Sequence, residues 1–265
     1  VSLRAKVRSS PFVMKAVAKY GYPIGTRLMG GDEMLFINFA YEEDPPLGIP
    51  LSESDEPDRY CIQLYHQTAT QIDLGGKRVL EVSCGHGGGA SYLTRTFKPA
   101  SYTGLDLNSA GIAFCRKRHQ IPGLDFVQGD AEDLPFDKES FDAVINVEAS
   151  HHYPHLPRFF DEVARVLRPG GHLLYTDFRV SHLVDDWEAV LAEVPLRLVS
   201  KRVIDEEVKR GMKERSPRIE AVISRRLPKF LQRYARDQAG IPGGSLYDWA
   251  QAGVFSYRIY HFVKD

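Results

Sequence analysis

Val79-Leu80-Glu81-Val82-Ser83-Cys84-Gly85-His86-Gly87-Gly88-Gly89 carries an apolar strand into a glycine-rich turn. A second apolar run ends at Leu105-Asp106-Leu107, which puts Asp106 25 residues after Glu81. Glycines let the backbone approach a ligand closely, and the first turn of the following helix offers unpaired N–H groups. An acid about 20 residues beyond such a turn is placed to accept hydrogen bonds from both hydroxyls of a ribose. The combination predicts an adenosine-bearing cofactor at the carboxyl ends of parallel strands.

The glycine turn alone does not choose the cofactor. Dinucleotide folds want G-x-G-x-x-G around a pyrophosphate, and Gly85, Gly87 and Gly88 or Gly89 match that spacing loosely. Glu81, four residues before the first glycine, would repel a pyrophosphate. Beside the α-amino group of a methionine moiety it can instead form an ion pair, directly or through water. Downstream, Gln128-Gly129-Asp130-Ala131-Glu132 closes a strand in an acidic turn suited to adenine N6. A nicotinamide oxidoreductase would share the sheet but neither Glu81 nor this turn.

Four blocks in order complete the pattern: Val-Leu-Glu-Val-x-Cys-Gly-x-Gly from Val79, Gly104-Leu105-Asp106, Gly129-Asp130-Ala131, and Arg165-Val166-Leu167-Arg168-Pro169-Gly170-Gly171. Residues 79–178 therefore resemble the class I S-adenosylmethionine-dependent methyltransferases of the small-molecule type. The resemblance implies S-adenosyl-L-methionine as cofactor. It places Glu81, Ser83, Gly85, Gly87, Asp106, Leu107, Asp130, Ala131, Glu132 and Val147 around it. Ser83 departs from the family, which usually has glycine there; its hydroxyl would crowd the methionine carboxyl or bond to it.

Strands are expected at 78–83, 101–106, 124–128, 142–147 and 172–178, alternating with helices. That alternation argues for an α/β, Rossmann-like parallel sheet covered on both faces. A sixth strand is expected over 196–204, and 256–263 closes the sheet as a seventh, antiparallel strand. Arg168-Pro169-Gly170-Gly171 is expected to end the fourth helix, with glycine beyond its terminus. Residues 3–20 show helical spacing, and a second element is expected around Glu33–Tyr41. The proline- and acid-rich stretch from Asp44 to Arg59 is expected to form a lid loop, followed by a helix over about 57–73. Residues 205–240 look helical, with breaks at Ser216-Pro217 and Leu227-Pro228. The expected division is an N-terminal helical cap and lid (1–73), a cofactor-binding core (74–204), a helical cap insertion (205–250) and the last strand (251–265).

At 265 residues and 43% hydrophobic content, the chain suits one domain with an inserted cap. No apolar run is long enough to span a bilayer and no leader pattern opens it, so a cytoplasmic protein is expected. Cys61, Cys84 and Cys115 have neither metal-like spacing nor an even disulfide count, and Cys84 is expected to fill a small buried site. Net charge is −1 but uneven. Residues 1–30 carry six bases and no acid, residues 42–58 seven acids and no base, and residues 201–236 twelve bases against five acids. Such runs form solvated faces, or contacts with an anionic acceptor or transiently with a membrane surface. No nucleic-acid module is present. A homodimer is left open.

Methyl transfer is an in-line displacement, and an alcohol acceptor must lose its proton as its oxygen attacks. Histidine is the natural base. Asn146-Val147-Glu148-Ala149-Ser150-His151-His152-Tyr153 follows the fourth strand, whose end faces the cofactor. The next strand ends at Tyr175-Thr176-Asp177, placing Asp177 to fix a histidine tautomer. His151 is the first choice as base, His152 the second, and Asp177 the orienting acid. Related sugar and natural-product O-methyltransferases share this spacing. The alternative is that both histidines are simply hydrogen-bonded near the surface. Glu148 is expected at the methionine end of the cofactor or at the helix edge. Tyr41 either donates to the methionine carboxylate or is a core aromatic. Some sugar methyltransferases use Mg2+ to hold a diol, but no ligand cluster in this chain marks a metal site.

From Gly31-Asp32-Glu33-Met34-Leu35-Phe36-Ile37-Asn38 through Ser256-Tyr257-Arg258, the chain also resembles the mycobacterial phthiotriol and phenolphthiotriol dimycocerosate methyltransferases. Those enzymes methylate a hydroxyl of a cell-envelope lipid, and their relatives methylate sugar hydroxyls of glycolipids, polysaccharides or macrolides. The arginines, tyrosines and aspartates of the cap suit a polyhydroxyl acceptor. The expected partner is therefore a hydroxylated small molecule, oligosaccharide or glycolipid, with a phthiotriol-type lipid as the alternative. A catalytically silent cofactor-binding partner protein is the other alternative, though it would have no need of His151, His152 and Asp177.

Overall fold

The structure, a computed structural model, describes residues 34–265. The helix expected over 3–20 and the basic run 1–30 lie outside the described residues. Five apolar runs form parallel strands: β1 (Arg78–Val82), β2 (Ser101–Asp106), β3 (Leu124–Gln128), β4 (Phe141–Val147) and β5 (Leu167–Val180). Every residue of β4 is buried, as a central strand covered on both faces must be. β6 (Arg197–Val203) and β7 (Phe255–Val263) complete the sheet in the order β3-β2-β1-β4-β5-β7-β6, with β7 antiparallel to both neighbours. β6 is an edge strand, exposed along its length, and Arg197, Lys201 and Arg202 blunt that edge.

The flanking helices are α1 (Arg59–Ala69), α2 (Gly88–Phe97), α3 (Ser109–Arg118), α4 (Leu156–Val166) and α5 (Val184–Ala192). Three more, α6 (Asp205–Arg226), α7 (Lys229–Ala239) and α8 (Ser245–Gln251), intervene between β6 and β7. Alternation along β1 sends Val79 into one apolar layer with Ile62, Leu93 and Ile145. Leu80 joins the other layer with Phe159, Val163 and Leu173. The strand order reverses between β1 and β4, and in open α/β sheets ligands bind at the carboxyl ends flanking such a switch.

Four expectations change. No helix or strand forms over 34–50; that stretch is an irregular strap, so the element expected around Glu33–Tyr41 is absent from its described part. The helix expected over 57–73 is shorter, a single 3-10 turn (Glu56–Asp58) leading into α1. Pro217 does not break its helix, because α6 runs through it while Ser216 Oγ bonds back to the Met212 carbonyl at 2.6 Å. The break falls at Leu227-Pro228 alone. Finally, α4 stops at Val166 on an extended Leu167, before the glycines. Arg168-Pro169-Gly170-Gly171 forms a bulge inside β5, where Gly170 takes φ 72° and donates its N–H to the Lys264 carbonyl.

Candidate active site

The glycine turn and the end of β2 meet directly. Gly85 adopts φ 56°, and its N–H donates to Asp106 Oδ2 at 2.9 Å; the Asn108 N–H donates to Oδ1 at 2.8 Å. Each carboxylate oxygen keeps a further lone pair, so two ribose hydroxyls can still bond to it. Burial pushes the Asp106 carboxyl up, and the two N–H donors offset this. The positive φ is strained for any residue with a Cβ, and an ideal Cβ there would come 2.8 Å from the tip of Ile37, so the turn favours glycine. Leu107 follows Asp106, while Asp130 and Ala131 form the turn after β3, with Asp130 Oδ1 accepting from the Glu132 N–H. This geometry fits an adenosyl cofactor.

Around that cradle, four of the named residues have partners within the protein. Glu81 is fully buried, and its oxygens accept from Tyr65 and Tyr102 at 3.0 and 2.8 Å. Burial raises its carboxyl to about 7, and the two phenols pull the other way. Glu132 accepts from the backbone N–H and faces Nδ1 of His155 at the start of α4. Tyr41 is buried, donates its hydroxyl proton to Glu43 and accepts from Arg202. Ser83 tolerates φ 63° and shares a 2.6 Å hydrogen bond with Tyr153, whose hydroxyl also accepts from Asn146. That strained backbone is where glycine would be free.

The second group lies at the ends of β4 and β5, where Val147 pairs with Thr176. A 3-10 turn, Ser150–His152, then swings the histidines over Asp177. His151 Nδ1 is 2.8 Å from Asp177 Oδ1, and the His151 N–H donates to Oδ2 at 3.0 Å. Ser150 Oγ, the Phe178 N–H and Arg179 Nη1 also engage Asp177, which is wholly buried. Burial alone would raise the Asp177 carboxyl, but His151, Arg179 and these hydrogen bonds hold it well below the usual range. An ionised Asp177 assigns the proton to His151 Nδ1 and leaves Nε2 as acceptor. The His152 ring lies 4.0 Å from that of His151, tilted by 49°, and burial followed by that neighbour pushes its pKa down to about 3.

Glu148 adopts φ 51° and joins this group. Its Oε2 accepts from the Phe39 N–H of the strap, Oε1 is buried without a partner, and burial lifts the carboxyl to about 8. Arg179 and Ser150 complete the arrangement and were not singled out from the sequence. The available signal was Arg179 two residues after Asp177, a spacing that puts both on one face of an extended strand. Phe178 lies 4.4 Å from the His151 ring and stacks on Tyr257 at 4.8 Å. All three cysteines are free and buried, and Cys84 fills the small space expected for it. Among the described residues no group of three or more His, Cys, Asp or Glu converges as a metal site. Nor is any described helix long and apolar enough to cross a membrane.

Residues 80–175 match the family model described as a methyltransferase domain. A phthiotriol/phenolphthiotriol dimycocerosates methyltransferase of Mycobacterium tuberculosis is 58% identical over 100% of this chain and 97% of its own length. A fatty-acid O-methyltransferase of Mycolicibacterium smegmatis is 53% identical over 100% and 94%. The crystal structure of geranyl diphosphate C-methyltransferase from Streptomyces coelicolor superposes with a TM-score of 0.64 at 16% identity, covering 95% and 97%, a likeness of fold. With the reversal of strand order beside the glycine cradle and relatives matched along its whole length, the chain belongs to the class I S-adenosylmethionine-dependent methyltransferases and is an O-methyltransferase of that family.

Proposed function

We propose that this enzyme methylates a hydroxyl of a long-chain lipid, with His151 as general base and Asp177 as the group that orients it. The observation that carries the reading is the 2.8 Å bond from His151 Nδ1 to a buried, ionised Asp177, which leaves Nε2 to accept the hydroxyl proton. S-adenosylmethionine, when bound, supplies the electrophilic methyl group. The chain does the rest: Asp106 and the glycine turn orient the adenosyl end, and His151 takes the proton as the acceptor oxygen attacks. The imidazolium then rests on Asp177. His152 is the weaker candidate, because a ring held near 3 binds a proton poorly.

A lipid replaces the carbohydrate acceptor expected from the charged cap. Several of those charges are satisfied within the protein: Arg218 pairs with Asp58, Arg236 with Glu220, Arg95 with Asp55, and Arg215 donates to the Asn38 carbonyl. Phe178, against the His151 ring, belongs to an aromatic cluster with Phe39, Phe255 and Tyr257. The strap and the helices α6 to α8 are proposed as the cap over this acceptor.

One relative favours a second reading, a fatty-acid carboxylate acceptor. A carboxylate arrives without a proton to lose and needs no base. Assays of wild type and His151→Ala with a phthiotriol-type lipid, a long-chain fatty acid and methyl glycosides separate the cases. Turnover of the hydroxyl lipid that collapses in the variant supports the proposal. Turnover of the fatty acid alone, unchanged in the variant, overturns it.

A further inference from the structure

The helix α7 is built with its polarity reversed. Towards α6 it presents Gln232, which donates to the Leu227 carbonyl at 2.9 Å, and Arg236, which pairs with Glu220. Towards solvent it presents Phe230, 80% exposed, Tyr234, 59% exposed, and Leu231, 40% exposed. Phe230 and Tyr234 are one helical turn apart and therefore share a face. None of the described side chains of α7 is buried. A helix on a soluble domain ordinarily turns its apolar stripe inward, so an outward aromatic face marks a contact with something else.

Charge says what that contact is. From Arg225 to Arg236 the chain carries five bases and no acid. Lys229 and Arg233 are exposed and flank the aromatic pair. Asp237, the next acid, is drawn aside by the Ser245 N–H of α8 at 3.1 Å. The same α8 adds Trp249, 52% exposed. Residues 1–30 carry six bases and no acid, so that part of the chain is an electrostatic mismatch for this face. A second copy joined symmetrically here would set like charges against each other. An anionic bilayer matches both features, because aromatic rings settle at the headgroup level and bases meet the lipid phosphates. Because no described helix can span a bilayer, the contact would lie on the membrane surface.

We propose that the outward face of α7, centred on Phe230 and Tyr234 and flanked by Lys229 and Arg233, docks the enzyme on an anionic lipid membrane. The inference does not depend on the acceptor. The test is co-sedimentation of the full chain with vesicles of phosphatidylcholine alone or mixed with phosphatidylglycerol. Binding should be at least about tenfold tighter to the anionic vesicles and should weaken with salt. Phe230→Ser with Tyr234→Ser, or Lys229→Glu with Arg233→Glu, should each lower it about tenfold or more. Because these side chains are exposed, both variants should keep the wild-type melting temperature and S-adenosylhomocysteine affinity. Failure to bind anionic vesicles, or binding that both variants retain, overturns the proposal. A melting temperature lowered by the serine pair would mean that the chain itself already covers the face. A vesicle-free dimer lost in the serine pair would assign it to a second copy. Either result also overturns the proposal.

Discussion

Asp177 shows how much of the site one residue organises, since it fixes the tautomer of His151 while neutralising Arg179. General-base catalysis contributes about 10²–10⁴-fold, so His151→Ala should lower kcat by that order with a hydroxyl acceptor. Calorimetry should find its cofactor affinity near wild type. Asp177→Asn would offer an amide N–H to Nδ1 and favour the wrong tautomer, so its loss of kcat should approach that of His151→Ala. At the other end of the site, Asp106→Ala removes charge-assisted bonds worth about 1.5–3 kcal/mol each. It should weaken S-adenosylhomocysteine binding by about tenfold or more, and unchanged affinity would refute this site. His151, Asp177 and Asp106 could be singled out in the sequence because each stands at or near the end of an expected strand. Tyr41 and Glu132 were less legible. Their partners, Arg202 and His155, lie 161 and 23 residues away, and no local spacing reveals them.

At the scale of elements, strands were easier to read than the segments that cover them. Continuous apolar runs marked β1 to β5 because burial on both faces leaves no alternation to misread. Pro217 misled because a lone proline is tolerated when tertiary contacts hold the helix around it, and the Gly170 bulge because its partner, Lys264, comes from the far end of the chain. Those contacts on α6 centre on Gly211. An ideal Cβ there would lie 2.3 Å from the Tyr41 nitrogen, so helix and strap touch backbone to backbone. The Glu42 N–H also donates to the Glu207 carbonyl at 3.0 Å. Gly211→Ala must push α6 off the strap, and denaturant unfolding should show a loss of about 1–3 kcal/mol despite alanine's better helix propensity. A neutral or stabilising result would mean that the two segments separate freely.

For the whole molecule, the buried carboxyls set how stability depends on pH. Glu81 and Glu148 are raised to about 7 and about 8 by burial, so between the ordinary carboxyl range and those values the folded state binds more protons than the unfolded chain. Stability contributed by keeping them protonated is lost as pH rises through that window. Glu148→Gln cannot ionise, and thermal melts should show it gaining about 1–3 kcal/mol over wild type above pH 8, with little difference in acid. An unchanged alkaline slope would show that Glu148 is ionised in the fold. The strap carries a consequence of a different kind. The Leu35 carbonyl accepts from the Gly88 N–H at 3.2 Å, and Ile37 stands over Gly85, so the strap bolts down the same turn that cradles the adenosyl group. The strap is therefore expected to open before spent cofactor leaves, as a separate kinetic step. Rapid-quench assays should record a burst of one methyl transfer per enzyme, followed by slower steady turnover. Ile37→Ala should flatten the burst by hastening exit, and a linear time course in wild type would show that the bolt opens faster than the methyl moves.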